Sequence, residues 1–252
     1  MTAASGDADD HVVARRVAEE AGALLLTIRA GLEAGADPRA LKDEGDLASH
    51  ELMMQRLAEL RPGDGVLSEE GVADPARLEQ ERVWIVDPLD GTREFGEAGR
   101  TDWAVHVALT VGGTPVAGAV GLPALAQLLA TDVPPLPPPA HDGPPRLVVS
   151  RTRPPAVALE LARHLDGELV EMGSAGAKAM AVVRGDVDVY AHAGGQYEWD
   201  SCAPVAVAAA AGLHVSRLDG SPLLYNQADP WLPDLLICRR ELVDAVLRVT
   251  AS

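Results

Sequence analysis

The chain has 252 residues and a strongly acidic composition, with 21 lysines and arginines against 38 aspartates and glutamates and a formal net charge of −17. A chain of this length, whether it folds as one large domain or two small ones, buries enough apolar surface to be stable without disulfides or structural metals. It lacks the excess of cations that a nucleic-acid backbone requires, so we expect no nucleic-acid polymer as a partner.

The first half of the sequence is predicted to form helices packed on a sheet. Apolar residues recur at helical spacing from Asp9 to Ile28 and again from Asp46 to Leu60, after a break rich in glycine, proline and aspartate. Two short buried strands follow, VLS before Glu69 and RVWIVDP before Leu89, and both end in acidic residues. Between Asp102 and Thr131 three apolar runs are separated by GGTP and LP, which indicates antiparallel strands.

A proline-rich segment separates this half from the rest of the chain. Residues 133–145 hold seven of the 19 prolines, and we interpret them as a polyproline-like surface connection. They divide the chain into a predicted N-terminal α+β half, residues 1–132, and a C-terminal α/β half, residues 146–252, in which strands alternate with helices. The predicted strands are RLVVS, ELVEM, DVDVYAH, LHVSRL and DLLICRR, and the predicted helices are Pro155–Leu165, Ala175–Arg184, Ser201–Ala211 and Glu241–Val249.

The motif DPLDGT, residues 87–92, combines features of metal binding and phosphate binding. Pro88 fixes φ and turns the chain, so the carboxylates of Asp87 and Asp90 can converge, and the two amides after Asp90 open a helix. Paired carboxylates attract Mg²⁺, and a helix N-terminus attracts phosphate. Taken alone, the motif is better explained as a tight turn in which Asp90 caps a helix.

Further acidic residues could share the site. Glu69-Glu70 ends the preceding strand, Asp200 begins an alanine-rich helix and Asp46 begins the second helix. Singly, each has an ordinary explanation, either as a solvated strand end or as a helix cap. Only their combination with residues 87–92 favours a metal site.

In order and approximate spacing, Glu69-Glu70, DPLDGT and Trp199-Asp200 resemble the inositol monophosphatase-like family of lithium-sensitive, Mg²⁺-dependent phosphatases. The resemblance runs from Asp46 to about Arg239. It implies an α/β layered sandwich in which layers of helices alternate with sheets, with the metal site between the two halves.

A narrower resemblance concerns the substrate. The segments Arg93-Glu94-Phe95, GSAGAKAMAVVRGDVDVYAHAGGQYEWDS and LDGSPLLYNQ resemble the bacterial nucleotidases of sulfate assimilation, the branch that hydrolyses 3′-phosphoadenosine 5′-phosphate. The implied reaction removes the 3′-phosphate and leaves AMP. Inositol monophosphatase and fructose-1,6-bisphosphatase activities of the same family are alternatives, and a non-catalytic module that binds Mg²⁺ and a nucleotide is a more distant one.

The resemblance also implies which residues form the site. Two or three Mg²⁺ ions would activate a water without a histidine base. The implied metal ligands are Glu69, Asp87, the Leu89 carbonyl, Asp90 and Asp200. The implied catalytic residues are Glu69, Glu70, Asp46 and Thr92, where Asp46 binds a further ion or orients the attacking water. The implied substrate-binding residues are Asp90, Gly91, Thr92, Ser174, Lys178, His192 and Asp200. The family usually has a threonine where this chain has Asp43, which leaves the water-activating arrangement of that loop open.

Several predicted substrate contacts have structural alternatives. Lys178 either meets a second phosphate or lies on a helix surface, and the turn GSAG, residues 173–176, either holds substrate or caps a helix. We interpret Arg93 as the partner of Glu94 rather than as a phosphate contact. His192 and Tyr197 either touch ribose or base, or are packing residues.

Composition also bears on cellular location and partners. The first ten residues, MTAASGDADD, are acidic where a signal peptide would be basic, and the longest apolar run, Ala203 to Leu213, is shorter than a membrane span. Cys202 and Cys238 lack metal-ligand spacing, so we interpret them as buried thiols in a reducing compartment. We expect a cytoplasmic protein with a phosphorylated small molecule as its substrate, no membrane partner, and a homodimer as one possible assembly.

Overall fold

Two five-stranded sheets form the framework of the protein, one on each side of the proline-rich segment. The structure, a computed structural model, describes residues 9–32, 34–72 and 74–251. Its α-helices are α1 (Asp10–Arg29), α2 (Pro38–Leu60), α3 (Thr92–Phe95), α4 (Ala156–Leu165), α5 (Ala175–Arg184), α6 (Glu198–Ala210) and α7 (Val243–Thr250). Its strands are β1 (Gly65–Ser68), β2 (Arg82–Asp90), β3 (Ala104–Val111), β4 (Thr114–Leu122), β5 (Gln127–Ala130), β6 (Arg146–Ser150), β7 (Glu168–Met172), β8 (Val189–Tyr197), β9 (His214–Ser216) and β10 (Trp231–Cys238).

The first sheet has the strand order β1-β2-β3-β4-β5, and the second has the order β7-β6-β8-β10-β9. In the first sheet β1 and β2 are parallel and the remaining pairs are antiparallel, which confirms the antiparallel strands predicted after Asp102. In the second sheet β6 is parallel to both β7 and β8, whereas β10 is antiparallel to β8 and β9. Helices α4 and α5 provide the crossovers that parallel strands need.

Layers of helices alternate with the two sheets, which confirms the expected layered α/β fold. Helices α1 and α2 pack on one face of the first sheet, α5 and α6 lie between the sheets, and α4 and α7 cover the outer face of the second. Three clusters of buried apolar side chains fill these interfaces. Cys202 and Cys238 are free and buried. Among the described helices, none is long and apolar enough to cross a lipid bilayer.

Two helices begin earlier than predicted, and both carry acidic residues of interest. Helix α2 begins at Pro38 because Asp37 caps it by accepting a hydrogen bond from the Arg39 amide at 3.1 Å. Asp46 therefore lies inside the helix and does not start it. The first turns of α2 are mostly exposed and polar, so apolar periodicity could not reveal them. Helix α6 begins at Glu198, which places Asp200 inside its first turn rather than at the cap.

The proline-rich residues 133–145 form neither helix nor strand and connect β5 to β6. They are fastened to the second sheet: both terminal nitrogens of Arg239 donate to the Pro138 carbonyl oxygen at 3.0 Å, and His141 Nε2 lies 3.0 Å from Asp188 Oδ2. Because α5 and α6 pack on both sheets, the two sheets share one core. The division into domains 1–132 and 146–252 stays a prediction.

Candidate active site

The carboxyl end of β2 presents two carboxylates through a bulge. Asp87 pairs with His106 and Asp90 with Ala104, so three steps along β2 correspond to two steps along β3. The extra residue bends the strand and redirects its side chains. Pro88, which has no amide proton, lies in this unpaired stretch, and the Leu89 amide donates to Asp87 Oδ1 at 3.0 Å.

Asp87 and Asp90 meet Asp200 from α6, and we call these three residues the acid cluster. One carboxylate oxygen from each lies within 4.8 Å of the others. The other half of the protein fixes Asp200, whose Oδ2 accepts a hydrogen bond from the Tyr197 amide at 2.6 Å. Asp87 Oδ2 is buried and has no hydrogen-bond partner. Three crowded carboxylates with a buried unpartnered oxygen are unfavourable by themselves, and they fit a divalent cation that prefers oxygen ligands.

Burial and mutual repulsion shift the pKa values of the acid cluster. Loss of hydration, followed by the charges of neighbouring carboxylates, raises the pKa of Asp87 well above its usual range and that of Asp200 to about 6. Burial acts on Asp90 in the same direction, but the hydrogen bond and charge of His106 hold its pKa down at about 2. Asp90 is therefore the carboxylate that stays charged over the widest pH range.

Glu69 follows β1 at the edge of the acid cluster and keeps an exposed surface. Crowding by protein atoms still lowers its hydration and, with the charges of Asp200 and Asp90, raises its pKa to about 7, while a side-chain contact with Asp87 acts in the opposite direction. Because β1 and β2 run parallel, with Ser68 opposite Val86, both strands end on the same side of the sheet. The parallel pairing thus brings Glu69 to the acid cluster.

Asp46 and Thr92 form a second polar group next to residues 87–90. The Thr92 hydroxyl oxygen lies 3.3 Å from Asp46 Oδ1 and 3.1 Å from the Leu89 carbonyl oxygen. Burial, followed by the charge of Glu70, raises the pKa of Asp46 to about 6. Asp43, one turn earlier on α2, is exposed and adds to this negative charge. The predicted catalytic set of Asp46, Thr92 and Glu70 is therefore brought together at one place.

His106 is a site residue that the sequence analysis missed. It comes from the middle of β3 and is fully buried. Its Nε2 lies 3.3 Å from Asp90 Oδ2, and a Cβ added to Gly176 would lie 1.9 Å from that nitrogen. The available signal was a histidine inside a strand whose other residues, apart from Thr110, are apolar, because such a buried ring needs polar partners on a neighbouring element.

The turn at residues 173–176 holds Asp90. The amides of Ala175 and Gly176 donate to Asp90 Oδ1 and Oδ2 at 3.1 and 2.6 Å, and the Ser174 hydroxyl donates to Oδ2. Free amides at a helix start can bind an anionic ligand, but here the amides at the start of α5 bind the carboxylate of Asp90. Whether Ser174 also contacts substrate stays a prediction.

A glycine is required at position 91, between the end of β2 and the start of α3. Its φ is +85°, in the left-handed region, and a Cβ would lie 3.0 Å from Ser174 Cβ. Only glycine combines this conformation with so close an approach of the second half. The predicted contacts of Gly91 and Thr92 with phosphate stay predictions.

Lys178 is not on the helix surface, so that alternative is wrong. Its side chain is only 6% exposed, and its Nζ donates to the carbonyl oxygens of Gly173 and Ser174 at 3.3 and 2.5 Å. Burial lowers its pKa. The ammonium lies close enough to Asp90 to favour that residue's negative charge. A contact between Lys178 and a second phosphate stays a prediction.

The expected pairing of Arg93 with Glu94 is also wrong. Adjacent residues of a helix point in different directions, and Arg93 Nε instead lies 3.3 Å from Glu97 Oε1. Glu94 is buried and pairs with Arg151 from the second half.

His192 and Tyr197 both lie on β8, and the Tyr197 amide binds Asp200 of the acid cluster. His192 is partly buried, with Nε2 at 3.0 Å from the Gly195 carbonyl oxygen. Tyr197 is 46% exposed, and its ring stacks on Trp199 with ring centroids 4.8 Å apart and planes 10° apart. His192 therefore has a packing partner, whereas one face of an aromatic pair remains open beside Asp200.

Comparison with known sequences identifies a family and named relatives. The sequence model described as "Inositol monophosphatase family" matches residues 10–133 and 147–246, so its gap falls on the proline-rich segment. A protein of Mycobacterium leprae named 3′-phosphoadenosine 5′-phosphate phosphatase is 51% identical, over 95% of this chain and 93% of its own length. The 3′(2′),5′-bisphosphate nucleotidase CysQ of Escherichia coli K12 is 34% identical, over 74% of this chain and 80% of its own length.

Comparison with solved structures gives the same fold. The crystal structure of inositol monophosphatase-II from Staphylococcus aureus superimposes with a TM-score of 0.79 at 21% identity, covering 96% of this chain and 95% of its own. CysQ from Bacteroides thetaiotaomicron, described as a bacterial member of the inositol monophosphatase family, has a TM-score of 0.78 at 26% identity, covering 92% of this chain and 97% of its own.

Proposed function

The chain belongs to the inositol monophosphatase family, and we propose on that basis that it is the metal-dependent phosphatase that removes the 3′-phosphate of 3′-phosphoadenosine 5′-phosphate. Water attacks the 3′-phosphorus, the bond to the ribose 3′-oxygen breaks, and AMP and inorganic phosphate leave. The relatives named for this reaction are similar over almost the whole chain. The observation in the structure that carries the proposal is the acid cluster with the buried, unpartnered Oδ2 of Asp87.

We propose Mg²⁺ as the cation, in two or three copies. The acid cluster, Glu69 and the Leu89 carbonyl oxygen would hold it, because carboxylate and carbonyl oxygens are the ligands that Mg²⁺ prefers. When bound, the ions supply charge neutralisation at the phosphate and a water that is nucleophilic at neutral pH. A chain with a net charge of −17 needs such local neutralisation before it can admit an anionic substrate.

We propose that Thr92 and Asp46 orient the attacking water. The single hydroxyl hydrogen of Thr92 is shared between Asp46 Oδ1 and the Leu89 carbonyl oxygen, so a lone pair of Oγ1 is left to accept a hydrogen from water. A proton given up by the water would pass to Asp46, whose pKa of about 6 suits a carboxylate that works near neutral pH. Glu70 favours this transfer because its charge raises the proton affinity of Asp46.

We propose that residues around the acid cluster hold its carboxylates in position during substrate binding and product release. Ser174 and the amides of Ala175 and Gly176 hold both oxygens of Asp90. Such outer contacts orient metal ligands and tune their basicity. We propose that Tyr197, stacked on Trp199, receives the adenine base, since an exposed aromatic face beside the site favours stacking with a nucleobase.

The composition supports two further proposals. The substrate is a phosphorylated small molecule, and we propose that no nucleic-acid polymer binds, because 38 acidic residues outnumber 21 lysines and arginines. We propose a cytoplasmic location from the two separate, buried thiols of Cys202 and Cys238. The homodimer stays a prediction.

A substrate panel tests the function. Phosphate release is measured from 3′-phosphoadenosine 5′-phosphate, inositol 1-phosphate and fructose 1,6-bisphosphate, each with Mg²⁺, with Mg²⁺ plus Li⁺, and with EDTA. We expect the nucleotide to give the highest kcat/KM, with activity lost in EDTA and reduced by Li⁺. Faster turnover of either sugar phosphate would contradict the substrate, and nucleotide binding without any turnover would indicate a binding module.

A further inference from the structure

Glu94, in the segment directly after the DPLDGT motif, joins the two halves of the protein. Its Oε1 accepts a hydrogen bond from Arg151 Nε at 2.6 Å, and Arg151 follows β6 in the second half. The Arg151 side chain is 18% exposed and that of Glu94 is 7% exposed. Arg151 also binds Glu97, a more exposed residue, through Nη2 at 2.7 Å. Glu94 is thus buried and Arg151 partly buried, and a charge-assisted hydrogen bond to a buried carboxylate constrains geometry more strongly than one at the surface.

The carboxyl of Glu94 packs directly on the start of α5. A Cβ added to Gly173 would lie 2.3 Å from Glu94 Cδ and 2.5 Å from its Oε1, so only a glycine admits the carboxyl at this distance. The backbone of Arg151 is bound to the adjoining residue, since its amide donates to the carbonyl oxygen of Met172, the residue before Gly173, at 3.2 Å. Glu94 and Arg151 therefore both make contacts at the start of α5, one at Gly173 and one at the residue before it.

Gly173 begins the turn whose amides hold Asp90. Three residues after it, Gly176 donates to Asp90 Oδ2 at 2.6 Å. Gly173 itself donates to Asp102 Oδ2 at 2.6 Å, which fixes the turn at its first amide. A continuous series of contacts thus runs from Arg151 and Glu94 through the start of α5 to Asp90.

We propose that the Glu94–Arg151 ion pair is a positioning device for the metal ligand Asp90. The ion pair keeps the start of α5 packed on α3, so that the amides of residues 175 and 176 can donate hydrogen bonds to the Asp90 carboxylate. Neither residue touches the reacting atoms. The inference rests on the proposed function for its kinetic consequences, whereas its consequence for metal binding can be measured without substrate.

A matched set of variants tests this role. Glu94→Gln keeps the shape and removes the charge, Arg151→Met keeps the aliphatic stem, and Arg151→Lys keeps the charge but loses the two-pronged contact. Glu97→Gln is the control, because Glu97 binds the same arginine but is not among the atoms that meet Gly173. Mg²⁺ affinity is measured by calorimetry on metal-free protein. Thermal unfolding in EDTA verifies that each variant folds.

We expect Glu94→Gln and Arg151→Met each to weaken Mg²⁺ binding about threefold to tenfold, the lower part of the range for residues that support a metal ligand. The double variant should lose no more than the worse single variant, since both changes break one interaction. Arg151→Lys should be intermediate, and Glu97→Gln should stay within about twofold of wild type. kcat/KM should fall by one common factor for 3′-phosphoadenosine 5′-phosphate and for adenosine 3′-monophosphate.

Three results would overturn the proposal: unchanged Mg²⁺ affinity in both single variants, losses that multiply in the double variant, or a loss confined to the bisphosphate. The last would mean that Arg151 binds the second phosphate directly. If wild type fails to hydrolyse the nucleotide, the proposed function fails, but the Mg²⁺ comparison still decides the role of the ion pair.

Discussion

His106 Nε2 lies 3.3 Å from Asp90 Oδ2, while Nδ1 of the same ring lies 3.0 Å from the Trp199 carbonyl oxygen. Nδ1 thus forms a hydrogen bond, whereas Nε2 faces Asp90 at ion-pair distance without a regular hydrogen bond. Burial lowers the pKa of His106, but the contact with Asp90 and its charge outweigh this effect and raise the pKa above its ordinary value. The ring links Asp90 on β2 to the residue before Asp200 on α6.

Replacement of His106 tests this link. His106→Leu removes both donors at similar volume, so we expect Mg²⁺ affinity and kcat/KM to fall about 10-fold to 100-fold. His106→Gln, which can donate to only one acceptor, should fall less. His164→Gln, on the surface of α4, is the control and should behave as wild type. Wild-type Mg²⁺ affinity in His106→Leu would show that the ring serves only packing.

Asp87 and Asp90 are both proposed metal ligands, but their removal should affect stability differently. Asp90 accepts hydrogen bonds at both oxygens, so an amide at this position would turn an N–H toward another donor. We expect Asp90→Asn to lower the free energy of unfolding by about 1–3 kcal/mol. Asp87 accepts from Leu89 through one oxygen, and the other is unpartnered among carboxylates. Asp87→Asn should therefore raise the stability of the metal-free protein by about 0.5–2 kcal/mol.

Urea unfolding in EDTA measures both effects, and phosphate release with Mg²⁺ measures activity. Both variants should lose activity by at least about 100-fold, since each deletes a charge at the metal site. Equal destabilisation of the two variants would contradict the difference in hydrogen bonding. Near-normal turnover by either variant would show that the residue is not a ligand.

The sequence predicted the parts of the site that depend on local order along the chain. Asp87 and Asp90 converge as predicted, but through a bulge inside β2, which continues to Asp90, and not through a turn at Pro88. DPLD shows the proline but not the bulge. Glu69 joins them because parallel strands end on one side of a sheet. The convergence of these three acidic residues follows from their spacing in the sequence and from strand pairing.

Contacts between distant segments could not be predicted in the same way. Arg93 was assigned to its neighbour Glu94, whereas the partner of Glu94, Arg151, lies 57 positions away. For Lys178 the sequence leaves both a helix surface and a phosphate contact open, because it does not show that α5 is enclosed by both sheets. His106 was missed because its partners belong to β2 and α6, and only the assembled layers bring them to the ring.

Metal binding should depend on pH through the raised pKa values of the site. Asp46 and Asp200 have pKa values of about 6 and Glu69 of about 7, all above those of an unfolded chain. The folded metal-free protein thus retains protons that the unfolded chain releases, so these groups lower its stability as pH rises from about 4 to about 7. Bound cations displace the same protons, and Mg²⁺ affinity should therefore rise across this window.

Calorimetry in two buffers of different ionisation enthalpy would detect the released protons. We expect about one proton or more per protein at pH 6 and almost none at pH 8.5. Asp90, with a pKa of about 2, contributes none. An Mg²⁺ affinity that does not change between pH 5 and 7 would contradict the assignment of these carboxylates to the metal site.

Glu198 should prove essential for stability. It is fully buried at the start of α6, and its two oxygens accept hydrogen bonds from the amides of Asn226 and Gln227 at 2.6 and 2.7 Å. Glu198→Gln would set an N–H against one of these amides, so we expect a loss of about 1–3 kcal/mol in the free energy of unfolding. Glu241→Gln, at a carboxylate whose side chain is 53% exposed, is the control and should change this free energy by less than about 1 kcal/mol. Equal losses in urea unfolding would contradict this account.

Tyr197 decides between base recognition and packing. Its backbone amide holds Asp200, but its ring lies exposed on Trp199, so a side-chain change leaves the amide in place. If adenine stacks on this ring, Tyr197→Ala should raise KM for 3′-phosphoadenosine 5′-phosphate at least about fivefold, from about 1–3 kcal/mol per stacked base. Tyr197→Phe, which keeps the aromatic face, should stay within about twofold. Inositol 1-phosphate carries no base, so its KM should be the same in Tyr197→Ala and wild type. A rise in KM for both substrates would show that the ring only supports the position of Asp200.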